Sequence, residues 1–577
     1  MIELTGISAS RGMSIGPVFQ FVRQKLEIKE KSLVNPSEEL VRFNLAAETA
    51  KEQIDRIYKK ALTESTHADA EIFQAHQMIL EDPELITSVK KKIENEKISA
   101  EMAMQQTGQS FSDMMAAMND EYFAARATDI MDVTNRVLRI LLDIAETPTA
   151  NLKEPSVIIA DDLTPSDTVM LDKELVVGFC TAQGSATSHT AILARGLGIP
   201  AVAGAGMEAL KQENGTMVIL DGTNGKVVFA PEESLIADYR KRIEATRTIR
   251  EEALKYAKEP AKTKDGRVVE VVSNIGNVEG AQCALENGAE GVGLLRTEFL
   301  YLEQSQLPTE EQQYQAYKGI LEVFGKMPVI LRTLDVGGDK EIAYMGLEAE
   351  ANSFLGQRAL RLCLVRPDIF KPQLRAALRA SVGHNLKIMF PMVATASEIR
   401  DARKVLDECA AELTNEGIPF EDDIEIGIMV EIPSAALVAD QLAKEVDFFS
   451  IGTNDLSQYT MAADRTNPKV AALSDAFFPA VLRLVREVIK AAHKEGKWVG
   501  MCGELAGEPL ALPLLLGLGL DEFSMGPPMI PLAKQILRNL DAKEMEKIAD
   551  QALNLESPDQ IKNFIKEKIP FIAEISG

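Results

Sequence analysis

The chain has 577 residues, of which 46% are apolar and 26% are charged, so several globular domains fit better than a fibre, a disordered chain or a disulfide-stapled peptide. Its formal charge of −25 disfavours nucleic acid and anionic membranes and favours a basic protein partner. Five cysteines without a CxxC pair suit a reducing cytoplasm. The longest apolar run, 509–520, is too short for a membrane span, and the first residues lack the pattern of a secretory signal. We therefore expect an intracellular protein without a membrane span.

A helical subdomain is predicted for residues 21–147, with helices from about Asn35 to Thr147. Asn35 suits the N-cap, Pro36 the first helical position and Glu38 the third, and glycine and proline are sparse in the residues that follow. Between Pro155 and Pro231 the pattern changes to short β-branched runs separated by glycine-rich turns, which predict strands.

A small α/β domain is predicted to enclose this helical block. Residues 1–20 also favour a strand and a turn, and one helix-like stretch, Thr190 to Gly196, interrupts the later strands. We therefore predict that residues 1–20 and 148–231 form one α/β domain, into which the helices are inserted. A charge-rich segment, 232–262, follows as a helical linker exposed on most faces, although a surface helix of either neighbour fits its pattern equally well.

A (β/α)₈ barrel, or TIM barrel, is predicted for residues 263–577. Short apolar runs alternate there with helical stretches, as expected for buried parallel strands that are connected by helices. A doubly wound sheet is the alternative fold. The runs are VVEVVSNIG, GVGLLRTEF, PVILRTLDVGG, LKIMFPM, IEIGIMVEIP, DFFSIGTNDL, WVGMCGEL and DEFSMGP.

Polar side chains follow several of these predicted strands. In a barrel the carboxyl ends of the strands meet at one rim, where active sites form. A lone arginine at a strand end more often belongs to a structural ion pair, but four arginines and two carboxylates at one rim favour a binding site. The candidate rim residues are Arg296, Arg332, Arg358, Glu431, Asn454, Asp455, Arg465 and Cys502.

The chemistry of these candidates predicts a small anionic substrate. Guanidinium groups pair bidentately with phosphate and carboxylate. Glu431 and Asp455 suit Mg²⁺, which keeps several waters and binds through one or two carboxylates and a phosphate, whereas two carboxylates beside several arginines make a poor closed calcium cage. Cys502 fits a buried small hydrophobe and a proton-transfer group equally well.

A second candidate centre is the segment GSATSHT, residues 184–190, which precedes the helix-like stretch. His189 is the one of five histidines at such a helix start, where free N–H groups and the helix dipole favour an anion such as a phosphorylated imidazole. A hydrogen-bonded turn histidine is the simpler interpretation of an isolated residue. No GxxxxGK[ST] loop accompanies His189, so a Walker-type nucleotide site is not expected.

These segments resemble the phosphoenolpyruvate-protein phosphotransferase family, enzyme I of the bacterial sugar phosphotransferase system, over essentially the whole chain. GSATSHTAILARGLGIPAVAG is similar to the family's phosphohistidine motif, and DFFSIGTNDLSQYTMAADR to its second signature. RTEFLY, LRTLDVGGDK, MVEIPSAA and MCGELAG also fit. The resemblance implies a cytoplasmic enzyme with a helical carrier-binding subdomain and a phosphohistidine subdomain before a barrel that forms a homodimer.

The resemblance also implies a role for each candidate. His189 takes the phosphoryl group of phosphoenolpyruvate and passes it to a histidine of HPr, a basic phosphocarrier protein. Cys502 protonates C3 of the resulting enolate to give pyruvate, and Glu431 and Asp455 bind Mg²⁺. The implied substrate contacts are Arg296, Arg332, Asn454, Asp455 and Arg465, with Arg358 as a further phosphate contact.

The carrier-binding face is predicted in the helical block. Residues 64–85 contain six acidic residues and no lysine or arginine, as expected of a face that binds a basic partner. A solvated acidic helix face is the competing interpretation. Met78, Ile79 and Leu85 are predicted to form an apolar centre within this acidic face. The predicted interface consists of Glu71, Met78, Ile79, Asp82, Glu84, Leu85 and Arg126.

The chain departs from the family pattern at Ser185, Ala186, Ser353 and Thr466, which bear on loop rigidity and rate rather than on the reaction class. Two other functions compete. A pyruvate phosphate dikinase or phosphoenolpyruvate synthase needs an ATP-grasp domain, for which the assigned blocks leave no room. The second is a catalytically silent regulatory binder, and the intact His189, Glu431, Asp455 and Cys502 argue against it.

Overall fold

The computed structural model divides into two compact units, Met1–Glu244 and Ala245–Gly577. In the described part of the chain, no helix combines the length and the apolar character needed to cross a bilayer. The structure describes residues 1–21, 26, 28, 35–64, 67–116, 121–144, 152–161, 163, 175–184, 190, 191, 194, 198–302, 306–338, 342–347, 350–465, 467 and 469–576.

The first unit contains a mixed eight-stranded sheet. Its strands are β1 Ile2–Thr5, β2 Ile7–Ser10, β3 Met13–Phe21, β4 Ser156–Ala160, β5 Val176–Thr181, β6 Ala201–Ala203, β7 Met217–Asp221 and β8 Lys226–Phe229. They are arranged in the order β1-β8-β7-β3-β4-β5-β6-β2, and β3 to β6 are parallel neighbours. Successive residues of β4 enter opposite apolar layers, because side chains alternate along a strand: Val157 packs with Phe229, and Ile158 packs with Phe179.

The helical block lies in the connection between β3 and β4, which are parallel and therefore need a long crossover. Asn35 Oδ1 accepts a hydrogen bond from Ser37 N at 3.1 Å, as predicted for the N-cap. The helices pack around a core that includes Phe43, Ile54 and Val137. The inserted helical subdomain is thus confirmed. Its described helices are α1 Pro36–Glu64, α2 His67–Leu80, α3 Pro83–Lys91, α4 Ala100–Ala116 and α5 Glu121–Leu141.

The charge-rich segment forms a long helix, α6 Glu233–Lys255. Its first turns are not fully exposed, because Ile236 and Tyr239 pack against Ile219 and Val228 of the sheet. The Tyr239 hydroxyl also lies 3.2 Å from Asp221 Oδ2. The first turns of α6 therefore pack with the sheet of the first unit, which ends at Glu244, and the second unit begins at Ala245.

The second unit is a closed barrel. Its strands are β9 Ala261–Lys262, β10 Val268–Ile275, β11 Val292–Leu295, β12 Pro328–Arg332, β13 Asn385–Phe390, β14 Ile426–Val430, β15 Phe448–Ile451, β16 Trp498–Met501 and β17 Glu522–Met525. β10 pairs in parallel with both β11 and β17, which closes the eight strands β10 to β17 into a ring. The predicted barrel is confirmed and the doubly wound alternative is wrong, because an open sheet would keep two edges.

Helices surround the barrel, and each of the eight predicted apolar runs contains one barrel strand. The described helices are α7 Val278–Glu286, α8 Phe299–Leu302, α9 Glu310–Phe324, α10 Ala359–Val365, α11 Pro367–Ala380, α12 Ala396–Glu416, α13 Pro433–Leu437, α14 Ala439–Leu442, α15 Thr453–Met461, α16 Pro479–Lys494, α17 Leu512–Leu518, α18 Ile530–Arg538, α19 Ala542–Ala552, α20 Pro558–Lys568 and α21 Pro570–Ser576.

Candidate active site

Arg332, the last residue of β12, is a buried arginine at the carboxyl rim of the barrel. Its guanidinium pairs with Glu298 through Nη2 and lies 3.2 Å from Asp335 Oδ2 through Nη1. Burial alone disfavours the charged guanidinium, but the carboxylates of Glu298 and Asp335 outweigh it and raise the pKa of Arg332 above its ordinary value. Arg332 is therefore charged and fixed in position.

Arg358 extends this arrangement into a connected network. Its Nη2 atom is 3.0 Å from Asp335 Oδ1 and 3.1 Å from Asp335 Oδ2, so Asp335 lies between two arginines. Its Nη1 atom is 3.6 Å from Asp455 Oδ1, and Arg465 Nη2 reaches the same oxygen at 3.8 Å. Three predicted arginines thus meet around two carboxylates.

A glycine pair lets the chain pass Arg358 closely. Gly337 and Gly338 both have positive φ, and a Cβ on Gly337 would lie 2.5 Å from Arg358 Cβ. Ser353, one of the departures from the family pattern, donates its hydroxyl to Gly338 O at 3.0 Å. The hydroxyl therefore ties this loop to the glycine turn beside Arg358.

Glu431 and Asp455 are the two carboxylates predicted to bind a metal. Glu431 follows β14, is 1% exposed and accepts a hydrogen bond from Met392 N at 2.7 Å. Burial, and then the nearby Asp455 and Asp335, raise the pKa of Glu431 to about 8. Asp455 Oδ1 is buried and accepts no hydrogen bond from the described residues. Gly452 approaches so closely that a Cβ there would lie 3.0 Å from Glu431 Oε2.

Cys502 lies directly after β16 and is 4% exposed. It packs inside the barrel with Leu294 and Met429, so its burial is as expected for a small hydrophobe. Burial raises the pKa of the Cys502 thiol to about 11, and the charge of Arg332 acts in the opposite direction. The thiol is therefore protonated at neutral pH and faces the residues of the candidate site.

The other two rim candidates are more accessible. Arg296 follows β11 and is exposed, and its charge also lowers the pKa of Cys502. Asn454 is half-buried in α15, and its Oδ1 accepts a hydrogen bond from Glu504 N at 3.1 Å. The structure thus brings all eight rim candidates to the carboxyl end of the barrel, as the strand-end pattern predicts.

Of the second candidate centre, residues 184–190, the structure describes Gly184 and Thr190, whereas His189, Ser185 and Ala186 lie outside the described residues. Thr466, another departure from the family pattern, also lies outside them. In the predicted carrier interface, the side chains of Glu71 and Arg126 are likewise outside the description.

The described part of that interface requires one correction. Met78 is 70% exposed and Glu84 is exposed, whereas Ile79 and Asp82 are half-buried. Leu85 is 2% exposed and packs in the core of the helical subdomain. The prediction that Leu85 forms part of an apolar surface centre is therefore wrong, because Asp82 caps α3 and sets the helix so that Leu85 faces inward.

Sequence reasoning missed the acidic partners of the arginines. Glu298 lies two residues after Arg296, and Asp335 lies three residues after Arg332. A buried arginine needs a carboxylate partner, so the acidic residues in the segments RTEF and LRTLD were the available signal.

Three family models of PEP-utilising enzymes match the chain. Residues 250–542 match the family model described as PEP-utilising enzyme, PEP-binding domain. Residues 5–126 match PEP-utilising enzyme, N-terminal, and residues 152–225 match PEP-utilising enzyme, mobile domain. The chain is therefore a PEP-utilising enzyme.

Relatives that match nearly the whole chain define the family more narrowly. The phosphoenolpyruvate-protein phosphotransferase of Priestia megaterium is 48% identical over 98% of both chains. The enzyme of Bacillus subtilis is 47% identical over 98% of this chain and 100% of its own. That of Staphylococcus carnosus is 47% identical over 98% of this chain and 99% of its own. The chain belongs to the phosphoenolpyruvate-protein phosphotransferase family, and the dikinase, synthase and silent-binder alternatives are not favoured.

Proposed function

We propose that the chain transfers the phosphoryl group of phosphoenolpyruvate to its own His189 and then to a histidine of HPr, releasing pyruvate. The observation that carries this proposal is the pair of buried arginines, Arg332 and Arg358, which Asp335 holds in place at the barrel rim. Phosphoenolpyruvate carries a phosphate and a carboxylate, and both match guanidinium forks. Holding the forks before the substrate arrives lowers the entropic cost of binding.

The more accessible rim residues complete the proposed substrate site. Arg296 and Arg465 add positive charge near the buried pair, and Asn454 adds an amide. Together with Arg332 and Arg358 they offset the several negative charges of the substrate, and we assign Arg358 to the phosphate.

Mg²⁺ is the metal that fits the donor set. No group of three or more candidate metal-binding side chains occurs among the residues that the structure describes, which does not favour an all-protein cage. Glu431 and Asp455 are buried, and Asp455 Oδ1 lacks a hydrogen-bond donor in the described residues, as suits a cation ligand. When bound there, Mg²⁺ supplies positive charge to the phosphate and to the developing enolate.

The proposed chemistry has two steps. The bond between phosphorus and the enol oxygen breaks as phosphorus bonds to an imidazole nitrogen of His189, which leaves the enolate of pyruvate. The electron pair of the enolate then takes a proton from the Cys502 thiol at C3, which gives pyruvate and a thiolate that regains a proton from water. A thiol whose pKa is raised to about 11 is protonated and available for this step at neutral pH.

The carrier HPr is proposed to bind the helical subdomain. Met78 and Glu84 are exposed near one another in sequence, and an apolar side chain beside acidic ones suits a basic partner. Glu84→Lys is expected to slow association with HPr about two- to fivefold at low salt. Asp423→Lys changes the net charge equally on an exposed barrel loop and is expected to have no effect. Equal slowing by both variants would place the interface elsewhere.

The remaining parts of the proposal concern organisation. We assign residues 1–20 together with 148–231 to the phosphohistidine domain and residues 21–147 to the helical subdomain. Residues 232–262 are assigned to the linker and residues 263–577 to the barrel. We also propose that the barrel forms a homodimer and that the protein acts in the cytoplasm. The acidic net charge and the lack of a membrane-crossing helix in the described residues are compatible with that location.

Labelling with radioactive phosphoenolpyruvate and Mg²⁺ tests the proposed function. The wild-type chain is expected to take up acid-labile label, and His189→Ala is expected to take up none. His384→Gln is a matched control, because within the described residues the His384 ring makes one hydrogen bond, in which Nδ1 donates to Gly325 O at 3.0 Å, and the variant is expected to label normally. Equal labelling of His189→Ala would contradict the proposal.

A further inference from the structure

Behind Cys502 lies an amide that the proposed mechanism does not use. Asn274, near the end of β10, donates from Nδ2 to the Cys502 carbonyl oxygen at 3.0 Å. Its own Oδ1 accepts from Ser524 Oγ at 2.6 Å. Ser524 is fully buried on β17, so its hydroxyl fixes which way the Asn274 amide faces.

The hydrogen bond from Asn274 completes a clamp on the backbone of Cys502. On the other side of the residue, Cys502 N donates to Ile451 O at 3.1 Å. The two peptide planes that flank the Cys502 Cα are thereby both held, one by β15 and the other by Asn274. Because these planes determine φ and ψ, they also determine the direction of the Cα–Cβ bond and hence where the thiol points.

The hydrogen bond from Asn274 to Cys502 differs from the bonds between β10 and β17 that close the barrel. Ser273, the neighbouring residue of β10, also bonds across to β17, through Oγ to Met525 O at 3.3 Å. That bond joins two strands and does not involve Cys502. Asn274 instead reaches past β17 to the residue after β16, which a role in closing the barrel does not require.

We propose that Asn274 is a positioning residue, which aims the Cys502 thiol at C3 of the enolate, and that Ser524 sets the orientation of its amide. This inference rests on the proposed role of Cys502 as the proton donor. The phosphate-binding arginines do not depend on the clamp, because Arg332 and Arg358 are held by Glu298, Asp335 and Asp455. Loss of the clamp should therefore impair proton delivery while phosphoryl transfer continues.

The variant that isolates this effect is Asn274→Asp. It keeps the size of the side chain and its acceptor for Ser524, but it replaces the donor to the Cys502 carbonyl with an oxygen. The substrate is (Z)-[3-²H]phosphoenolpyruvate in tritiated water, with HPr as acceptor. A proton delivered to one face of the enolate gives pyruvate with a chiral methyl group, whereas protonation by bulk water gives a racemic one.

For the wild-type chain we expect one methyl configuration in excess. For Asn274→Asp we expect that excess to fall at least threefold, while the KM for phosphoenolpyruvate and the rate of enzyme phosphorylation stay within twofold. A purely structural role of Asn274 would not produce this split, because a general disturbance of the site would also raise the KM or lower the rate of enzyme phosphorylation. An unchanged methyl configuration in Asn274→Asp would overturn the inference.

Three further variants separate the role of Asn274 from other causes of racemic pyruvate. Cys502→Ala should give racemic pyruvate; if it retains the wild-type configuration, the proposed role of Cys502 fails rather than that of Asn274. Ser273→Ala removes the neighbouring bond of β10 and should leave the methyl configuration unchanged; racemisation there would mean that general loosening of the barrel is responsible. If Asn274→Asp does not fold, Ser524→Ala should lower the excess in the same direction, and no change would overturn the inference.

Discussion

The two ends of the barrel bury carboxylates in opposite ways. At the rim, Asp335 lies between two guanidinium groups, with Arg358 at 3.0 Å and Arg332 at 3.2 Å. At the floor, formed by the amino ends of the strands, Glu522 is 2% exposed and its Oε1 has no hydrogen-bond partner within the described residues. Lys387, whose charge acts to lower the pKa of Glu522, pairs with Glu425 instead.

Guanidinium groups at 3.0 and 3.2 Å favour the charged form of Asp335, whereas burial without such an ion pair favours the protonated form of a carboxyl group. Burial, and then the adjacent Glu270, raise the pKa of Glu522 to about 8, so this group carries a proton at neutral pH. Glu431, although it lies at the rim, is like Glu522 in this respect: burial, and then Asp455 and Asp335, raise its pKa to about 8 against the opposing charges of Arg332 and Arg358. Asp335 is therefore stabilised by its two arginines, whereas Glu522 avoids charge by protonation.

The largest effect is expected when a rim arginine loses its charge. Arg332→Met removes a proposed substrate contact and the buried cation that pairs with Glu298, so kcat/KM for phosphoenolpyruvate should fall about 10²–10⁴-fold. Steady-state kinetics with HPr as acceptor measure this. Arg400→Met removes an exposed arginine paired with Glu445 and should leave kcat/KM unchanged. A loss below about threefold in Arg332→Met, far less than removal of such a partner costs, would exclude Arg332 from the substrate site.

Loss of an arginine charge at the rim should also lower the stability of the barrel. Arg358→Met leaves Asp335 and Asp455 with less positive charge in a buried site, and should lower the free energy of unfolding by about 3–5 kcal/mol. Urea unfolding followed by the fluorescence of Trp498, the single tryptophan, reports on the barrel. Arg400→Met is again the exposed control. Equal stability of the two variants would show that the rim network does not hold the barrel together.

At the floor, replacement of Glu522 with a neutral side chain should raise the free energy of unfolding at high pH, whereas Arg358→Met lowers it at the rim. A folded-state pKa of about 8 lies above the ordinary value of Glu, so Glu522 costs stability as pH rises from about 4.5 to 8. Glu522→Gln should therefore raise the free energy of unfolding by about 1–3 kcal/mol at pH 8.5 and change it little at pH 4. Urea titrations at the two pH values measure the difference. A variant that is less stable at pH 8.5 would contradict the comparison.

The smallest effect is expected at Lys387. Its Nζ lies 2.5 Å from Glu425 Oε2 and 5.0 Å from the Trp498 ring centroid, and Glu425 is partly exposed. Lys387→Met should therefore lower the free energy of unfolding by only about 0.5–1 kcal/mol. Urea unfolding followed by circular dichroism tests this. A loss above about 3 kcal/mol, as for a broken buried pair, would mean that Lys387 balances Glu522 after all.

The sequence predicts the barrel well because strand-forming runs carry a local signal. Each run is apolar, short and bounded by turn residues, and its last polar residue marks the rim, as at Arg332 and Glu431. The roles of the rim residues came from the family resemblance, since strand-end position alone left Cys502 undecided.

The contacts that sequence reasoning missed depend on distant parts of the chain. Asn274 and Cys502 are separated by 228 residues, and no periodic pattern joins them. Leu85 was placed at a surface because the length of α3 and its cap at Asp82, which set the buried face, were not predicted. Tertiary packing rather than composition decides such positions.

The proposed substrate site lies entirely in the barrel, whereas His189, the proposed phosphorylated histidine, belongs to the first unit. A fragment of residues 1–250 contains all of that unit, which ends at Glu244. We predict that this fragment takes label from phosphorylated HPr and takes none from labelled phosphoenolpyruvate with Mg²⁺. Labelling of the fragment by phosphoenolpyruvate alone would contradict the account.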